Sequence, residues 1–518
     1  MKQTDRTHGH TITVALTGAS GAMGKEVVAR FMKQGAVKLR LLLHDTKRSR
    51  SYARGLLHTK GHTPEILFGD LKNPADCTRF TRGADYLIHL AALIPPRADH
   101  DAKGAYESNF CGTKNLVDAI QKQGGHTRLI HISTVAIYGH RNEKHPFGRV
   151  GDPLLISAFD HYGASKLRAE RCILDASLPH FVILRQTAVL YDNLLMNNIG
   201  DGLMFHTPWN TMIEWVSAHD SAVLLYNIIR DDVQKKQTRF WNRVYNIGGG
   251  ISCRQTGYET YDSGFSLIGA TVRDCFDPRW TPVRNFHCFW FSDSEELEER
   301  FHFRSQSCDD FWKQFAKRHR LYAAARLLPK RLIKKLILEP LTRTPNAPSY
   351  WVTHKDRARV HAFYGGEEAY HSLPRSWRDV ALICARKDYA SMKKHDASLD
   401  LSHGYDESKP EETLELTDMQ EAAAFRGGSC LSAHMKPGDL YGRLRWKCHA
   451  GHVFEASPYT VLKAGHWCMD CQPENIWQYD LLARHVPFYA QVWYDSHDPD
   501  EAVVYSFRDG KARMEHLT

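Results

Sequence analysis

The chain has 518 residues, with 68 basic and 59 acidic side chains giving a net charge of +9, and its 42% hydrophobic content is that of a soluble globular protein. No stretch approaches the roughly 18 apolar residues of a membrane span, and the length asks for two or three domains. Met1 to Thr11 is polar with no apolar core of a secretory signal, so a cytoplasmic location is expected. Cys77, Cys111, Cys172, Cys253, Cys275, Cys288, Cys308 and Cys384 are scattered like reduced thiols, whereas Cys430, Cys448, Cys468 and Cys471 crowd near the end.

In chain order, Thr11–Leu16, Leu39–Leu43, Tyr86–Leu90, Leu129–Ile132 and Phe181–Leu184 read as buried parallel strands. Lys25–Gln34 and Asn115–Gln123, between them, carry helical periodicity. This rhythm predicts an α/β fold, a Rossmann-type doubly wound parallel sheet over residues 1–270. Residues 271–395 lose the strand rhythm and are expected to form a substrate lid and helical extension. Residues 396–420 are polar and read as a linker, and 421–518 as a small Cys- and Trp-containing domain.

Thr17-Gly18-Ala19-Ser20-Gly21-Ala22-Met23-Gly24 follows the first strand and opens a helix. Glycines at this spacing allow a tight turn, close approach of backbone to a pyrophosphate, and a helix N-terminus aimed at it. The second strand ends at Asp45, placed to bind the adenosine ribose of NAD. Lys47, Arg48 and Arg50 beyond it could instead hold the 2′-phosphate of NADP, and the sequence leaves both open. Asp70 and Leu71, after the third strand, are candidates for the adenine end.

The fourth buried strand runs into Ser133-Thr134, and Tyr162-Gly163-Ala164-Ser165-Lys166 comes later. A tyrosine and a lysine four apart share a helix face, where the ammonium can draw the phenol down toward working pH. Thr134 or Ser133 can hydrogen-bond a substrate oxygen, and Lys166 can also hold the nicotinamide ribose. Together with His89-Leu90-Ala91-Ala92, Asn109, Gly112-Thr113, Tyr138-Gly139, Arg185, Asp220 and Tyr245-Asn246-Ile247-Gly248-Gly249, these residues resemble the extended short-chain dehydrogenase/reductase family of NAD-dependent epimerases and dehydratases. The likeness covers about Thr11 to Gly250. It implies that Thr134 is the catalytic hydroxyl and Tyr162 the acid–base. It also implies that Ala91 and Ala92, with Asn109, belong to the cofactor site.

The departures narrow the chemistry. Where the dehydratases carry Asp-Glu after the catalytic Thr, this chain has Val135-Ala136. Where many nucleotide-sugar epimerases carry Asn and Arg, it has Ala188 and Ile213. The expected reaction is interconversion of a secondary alcohol and a ketone on a small-molecule substrate. A nucleotide-sugar epimerase and a non-catalytic cofactor-sensing protein are the alternatives.

Cys448 and His452, followed by Cys468-Met469-Asp470-Cys471, suit one tetrahedral, structural Zn²⁺. The stretch 425–475 resembles zinc-ribbon modules, in which Gly427-Gly428-Ser429-Cys430 makes Cys430 a rival to His452. Charge around the module is mixed, which argues against nucleic acid. One basic amphipathic segment, 326–341, interleaves Lys330, Arg331, Lys334 and Lys335 with Leu332, Ile333, Leu336 and Ile337. It suits packing on a neighbouring domain or peripheral contact with an anionic membrane, which would go with an apolar substrate. Homo-oligomerisation is left open.

Overall fold

A computed structural model describes residues 11–35, 37–59, 62–194, 200–383 and 392–517. Cys384 and residues 1–10 lie outside the described residues. The centre is a seven-stranded parallel sheet in the order β7-β6-β5-β4-β1-β2-β3. Its strands are β1 (Thr13–Thr17), β2 (Lys38–Leu43), β3 (Glu65–Phe68), β4 (Tyr86–His89), β5 (Arg128–Thr134), β6 (Phe181–Gln186) and β7 (Arg243–Ile247). Helices α1 (Ala22–Gln34), α2 (Lys47–Leu57), α3 (Pro74–Thr81), α4 (Gly112–Lys122), α5 (His161–Asp175) and α6 (Ala218–Val233) make the principal crossovers.

The strands are apolar throughout because both faces are covered. Val14 and Leu16, Ile130, and Val182 and Leu184 point into the core under α1 and α6. Ala15, Leu129, and Phe181 and Ile183 alternate into the opposite core, under α3, α4 and α5. Strand order reverses between β1 and β4, so the crevice above their carboxyl ends is the place where such sheets take ligands.

Two boundaries differ from those expected. The core does not stop near 270. Trp290–Phe291 pairs parallel with Phe147–Gly148, and Leu297, Phe301 and Phe303 enter the α1–α6 core. The polar stretch 396–420, expected as a linker, is packed. Leu401 and Leu414 are buried, and His403 and Glu407 pair with residues of the preceding domain rather than standing in solvent. His403 lies between Asp152 at 3.0 Å and Glu407 at 2.6 Å, and Arg149 reaches Glu407 at 2.6 Å.

The last hundred residues form two three-stranded antiparallel sheets. The first is Ser429–Cys430, Leu444–Lys447 and Val453–Ala456. The second is Ile476–Trp477, Val503–Arg508 and Lys511–His516. Their core residues, including Trp446, Leu462, Phe488 and Tyr489, are continuous with the α3–α4–α5 side of the parallel sheet.

Candidate functional site

The glycine turn has the shape its sequence asks for. Gly18 has φ of +73°, and a Cβ there would lie 2.7 Å from the Ala91 nitrogen; one on Gly24 would lie 2.1 Å from the Gly18 oxygen. The Gly21 amide donates to the Gly18 carbonyl at 3.0 Å. Gly21 then opens α1 with no side-chain cap and no acid in the first turn. Ser20, Gly21 and Ala22 are exposed, with Met23 half-buried behind them, so the helix presents uncapped amides where a phosphate would sit. A backbone cradle that any Cβ would fill fits a dinucleotide.

At the end of β2, Asp45 is exposed and bound bidentately by Arg50, at 2.6 and 2.7 Å. The Arg50 guanidinium holds the Asp45 carboxyl below its ordinary range and also lies 5.1 Å from the Phe68 ring. Asp70 stands at the neighbouring strand end, its carboxylate accepting from the Lys72 amide at 2.9 Å, whereas Leu71 is buried against Gly112. The Ala91 amide donates to Thr17 at 3.1 Å, joining the ends of β4 and β1, and Ala92 is half-buried beside it.

Asn109, expected in the cofactor site, is fully used inside the protein. Its amide donates to Ser165 Oγ at 2.9 Å and Leu93 O at 3.0 Å, and its oxygen accepts from Leu93 N at 2.7 Å. It ties the loop after β4 to α5.

Thr134 closes β5, and its hydroxyl accepts from the Ala136 amide at 3.1 Å. Asp160 caps α5 by accepting from Gly163 N at 2.7 Å, which sets Tyr162 in the first turn, where Thr134 is close enough to its phenol to act on the proton it holds. Ser133 Oγ is enclosed without a hydrogen-bond partner among the described residues.

The expected lowering of the Tyr162 pKa by Lys166 is not what this structure holds: burial pushes the phenol up to about 12. Lys166 points inward instead. Its Nζ donates to Ile132 O at 2.6 Å and meets His131 Nε2 at 3.0 Å. Burial draws the ammonium down to about 7, and the residue is 2% exposed. Behind it the His131 and His89 rings lie 5.1 Å apart, and His89 bridges Thr17 at 2.8 Å and Thr113 at 2.9 Å. A buried polar chain thus runs from α5 to the glycine turn.

The substituted family positions are apolar in their surroundings. Val135, Ala136 and Ile213 are all buried, and Ala188 packs partly against the same core. Glu214 beside Ile213 is spent on Arg254 at 2.8 Å, Ser294 at 2.7 Å and two backbone amides.

The back of α5 is held by the C-terminal unit. Arg171 donates to Trp467 O at 2.9 Å and Glu455 O at 3.0 Å, and Arg168 to Gln472 O at 3.2 Å. Fully buried Glu170 joins Arg185 at 2.9 Å and His466 at 3.2 Å, while Arg185 also reaches Ala464 O at 2.7 Å.

Beside His466 the candidate metal ligands converge. The ligand atoms of Cys448, His452, Cys468 and Cys471 all lie within 4.8 Å of one another. His452 Nδ1 stands 3.5, 3.6 and 3.5 Å from the three sulfurs, and Cys471 stands 3.6 Å from Cys448. Tetrahedral Zn²⁺ with bonds of about 2.3 Å to sulfur and about 2.0 Å to nitrogen requires ligand–ligand edges of roughly 3.5–3.8 Å. Cys430 lies outside this group, in the strand opposite Trp446.

Comparison with known proteins follows the same line. Residues 14–190 match the NAD dependent epimerase/dehydratase family. The D-erythronate dehydrogenase of Haemophilus influenzae is 27% identical over 183 residues, covering 33% of this chain and 51% of that protein. The mouse sterol-4-alpha-carboxylate 3-dehydrogenase (decarboxylating) is 24% identical over 164 residues, 31% of this chain and 40% of its own. The chain therefore spans about half or less of these relatives' length. Among solved structures, a dTDP-glucose 4,6-dehydratase of Bacillus anthracis bound to NAD superposes with a TM-score of 0.47 at 18% identity, covering 60% of this chain and 98% of that one.

Three groups near the site were missed in the sequence. Asp160 carried a readable signal as a helix N-cap two residues before Tyr162. His131 reads only as an interior strand residue. Asp99 follows β4 in a short helix packed on α5. One of its carboxylate oxygens is enclosed without a partner among the described residues.

Proposed function

We propose that the protein is a nicotinamide-dependent oxidoreductase that interconverts a secondary alcohol and a ketone on a small-molecule substrate, with Tyr162 as its acid–base. The observation that carries this reading is the placement of Thr134 at the end of β5 and of Tyr162 in the first turn of α5, packed on that strand, beside the crevice where the glycine turn and Ala91 meet. Bound NAD would supply or accept the hydride. Thr134 positions the substrate oxygen, and Tyr162 gives a proton to it or takes one from it. With the phenol pushed up to about 12, Tyr162 carries its proton at neutral pH, the state from which it would protonate a ketone oxygen. Asp45 binds the adenosine ribose and at the same time neutralises Arg50, which favours NAD over NADP. Cys448, His452, Cys468 and Cys471 hold one Zn²⁺, with all four positions filled by protein and none left for catalytic water.

Tyr162→Phe is expected to lower turnover by about 10²–10⁴-fold while NAD affinity stays within a few-fold. Unchanged turnover would refute the assignment. An epimerase is the second reading, supported by a UDP-glucose 4-epimerase of Rickettsia rickettsii that is 28% identical over 129 residues. A reductase consumes added cofactor in proportion to product, whereas an epimerase shows no net consumption. Elemental analysis is expected to return about one zinc per chain; metal-free folded protein would remove the metal assignment.

A further inference from the structure

Between Arg318 and Leu338 the chain carries seven Lys and Arg residues and no acid. The structure folds this stretch into a short 3₁₀ segment, Arg320–Leu327, then a nearly continuous helical run from Lys330 to Leu341 with a π turn at Lys334–Leu338. The wider π turn brings Ile333 and Leu338, five apart, to the same inner side. There they pack with Phe205, Val272 and Phe276. The packing role open to this segment is therefore filled by those two residues.

Five aliphatic side chains between Leu327 and Ile337 point outward. Leu327 is 89% exposed, Leu336 66%, Leu328 49%, and Leu332 and Ile337 44% each. Five large aliphatic side chains within eleven residues, all facing water, are too close together to be the scattered surface apolars of an ordinary domain. Arg326, Arg331 and Lys335 are exposed among them. Lys330 bonds to Ile268 O at 2.7 Å, and Lys334 sits 5.1 Å from the Trp280 ring, so both cations are also fixed on this side of the molecule.

We infer that this surface docks on an anionic membrane, with the leucines and Ile337 entering the headgroup–acyl boundary and the cations pairing with lipid phosphates and carboxylates. Charge complementarity selects this occupant. A second copy of the chain would bring another predominantly cationic segment against it, and a neutral apolar partner would leave the cations unpaired. Among the described residues no helix is long and apolar enough to cross a membrane, so the contact is peripheral. The segment's end leads to Asn346, which bonds to Asp201 and meets His100, each at 3.0 Å; the docking face is thereby joined to the loop that follows β4.

The test is co-sedimentation of the full chain with vesicles of pure phosphatidylcholine or of equal parts phosphatidylcholine and phosphatidylserine. Binding is expected to the anionic vesicles only, and to fall as salt rises. Arg331→Gln/Lys335→Gln should weaken it by about tenfold or more, at roughly fivefold per cation near the surface. Leu332→Glu/Leu336→Glu should weaken it at least as much. All four side chains are at the surface, so the melting temperature of each variant should match that of the parent, which separates lost docking from lost folding. The proposal is overturned by failure to bind anionic vesicles, by equal binding of parent and variants, or by a dimer in sedimentation velocity that Leu336→Glu dissociates.

Discussion

The Asp45 carboxylate is already bound to the Arg50 guanidinium, which under the proposed function would otherwise be free to hold a phosphate. Asp45→Asn frees Arg50. NAD affinity should fall by roughly tenfold and NADP affinity should rise; titration of both cofactors checks this, and a parallel loss of both would contradict it. Asp99 offers a pH signature. Burial, with Asp160 and Asp201 nearby, pushes its carboxyl up to about 8 from an ordinary value of 3.8. The native state therefore keeps a proton that the unfolded chain releases, and this group's contribution declines as pH rises from about 4 to about 8. Asp99→Asn should melt close to wild type near pH 4 and several degrees above it near pH 9. A pH-independent difference would show that this carboxyl does not titrate as described. Tyr162, Thr134 and the glycine turn were legible because their spacing reports local geometry. The inward turn of Lys166 was not, because it depends on His131, 35 residues away on a strand that reads as uniformly buried.

At the scale of elements, α5 is held from both sides. Its first turn carries Tyr162, and its back carries Arg168, Glu170 and Arg171, all engaged by the stretch between Glu455 and Gln472. The candidate ligands Cys468 and Cys471 fall within that stretch, so metal removal should loosen the helix that bears Tyr162. A strong chelator, or Cys471→Ser, is expected to lower the unfolding midpoint by at least about 10 °C, with turnover falling in step. Full activity of chelated protein would break the link. The strands and crossovers of the first 250 residues were readable from apolar runs and helical periodicity. The placement of 396–420 was not: its composition is polar, and what buries it is pairing with Asp152 and Arg149, some 250 residues earlier, which no local pattern announces.

Across the whole molecule, the apolar core beneath α3, α4 and α5 continues without a break into the last hundred residues. A fragment ending near residue 390 is therefore expected to aggregate or to lack a cooperative melting transition; a soluble, sharply melting fragment would show two independent cores. Arg141 is 0% exposed and depends on Asp152 at 3.3 Å. Asp152→Asn, which strands that charge, should cost about 3–5 kcal/mol by denaturant unfolding. Arg185 and Glu170 have a longer consequence. Both are fully buried; Arg185 draws on Ala464 O and Glu170 on His466. A chain without the C-terminal unit would keep a sheet-end arginine and an α5 glutamate with bonds missing and their burial undone. Deleting the C-terminal unit would therefore need compensating changes at Arg185 and Glu170 together, because each loses a bond it can replace only by moving.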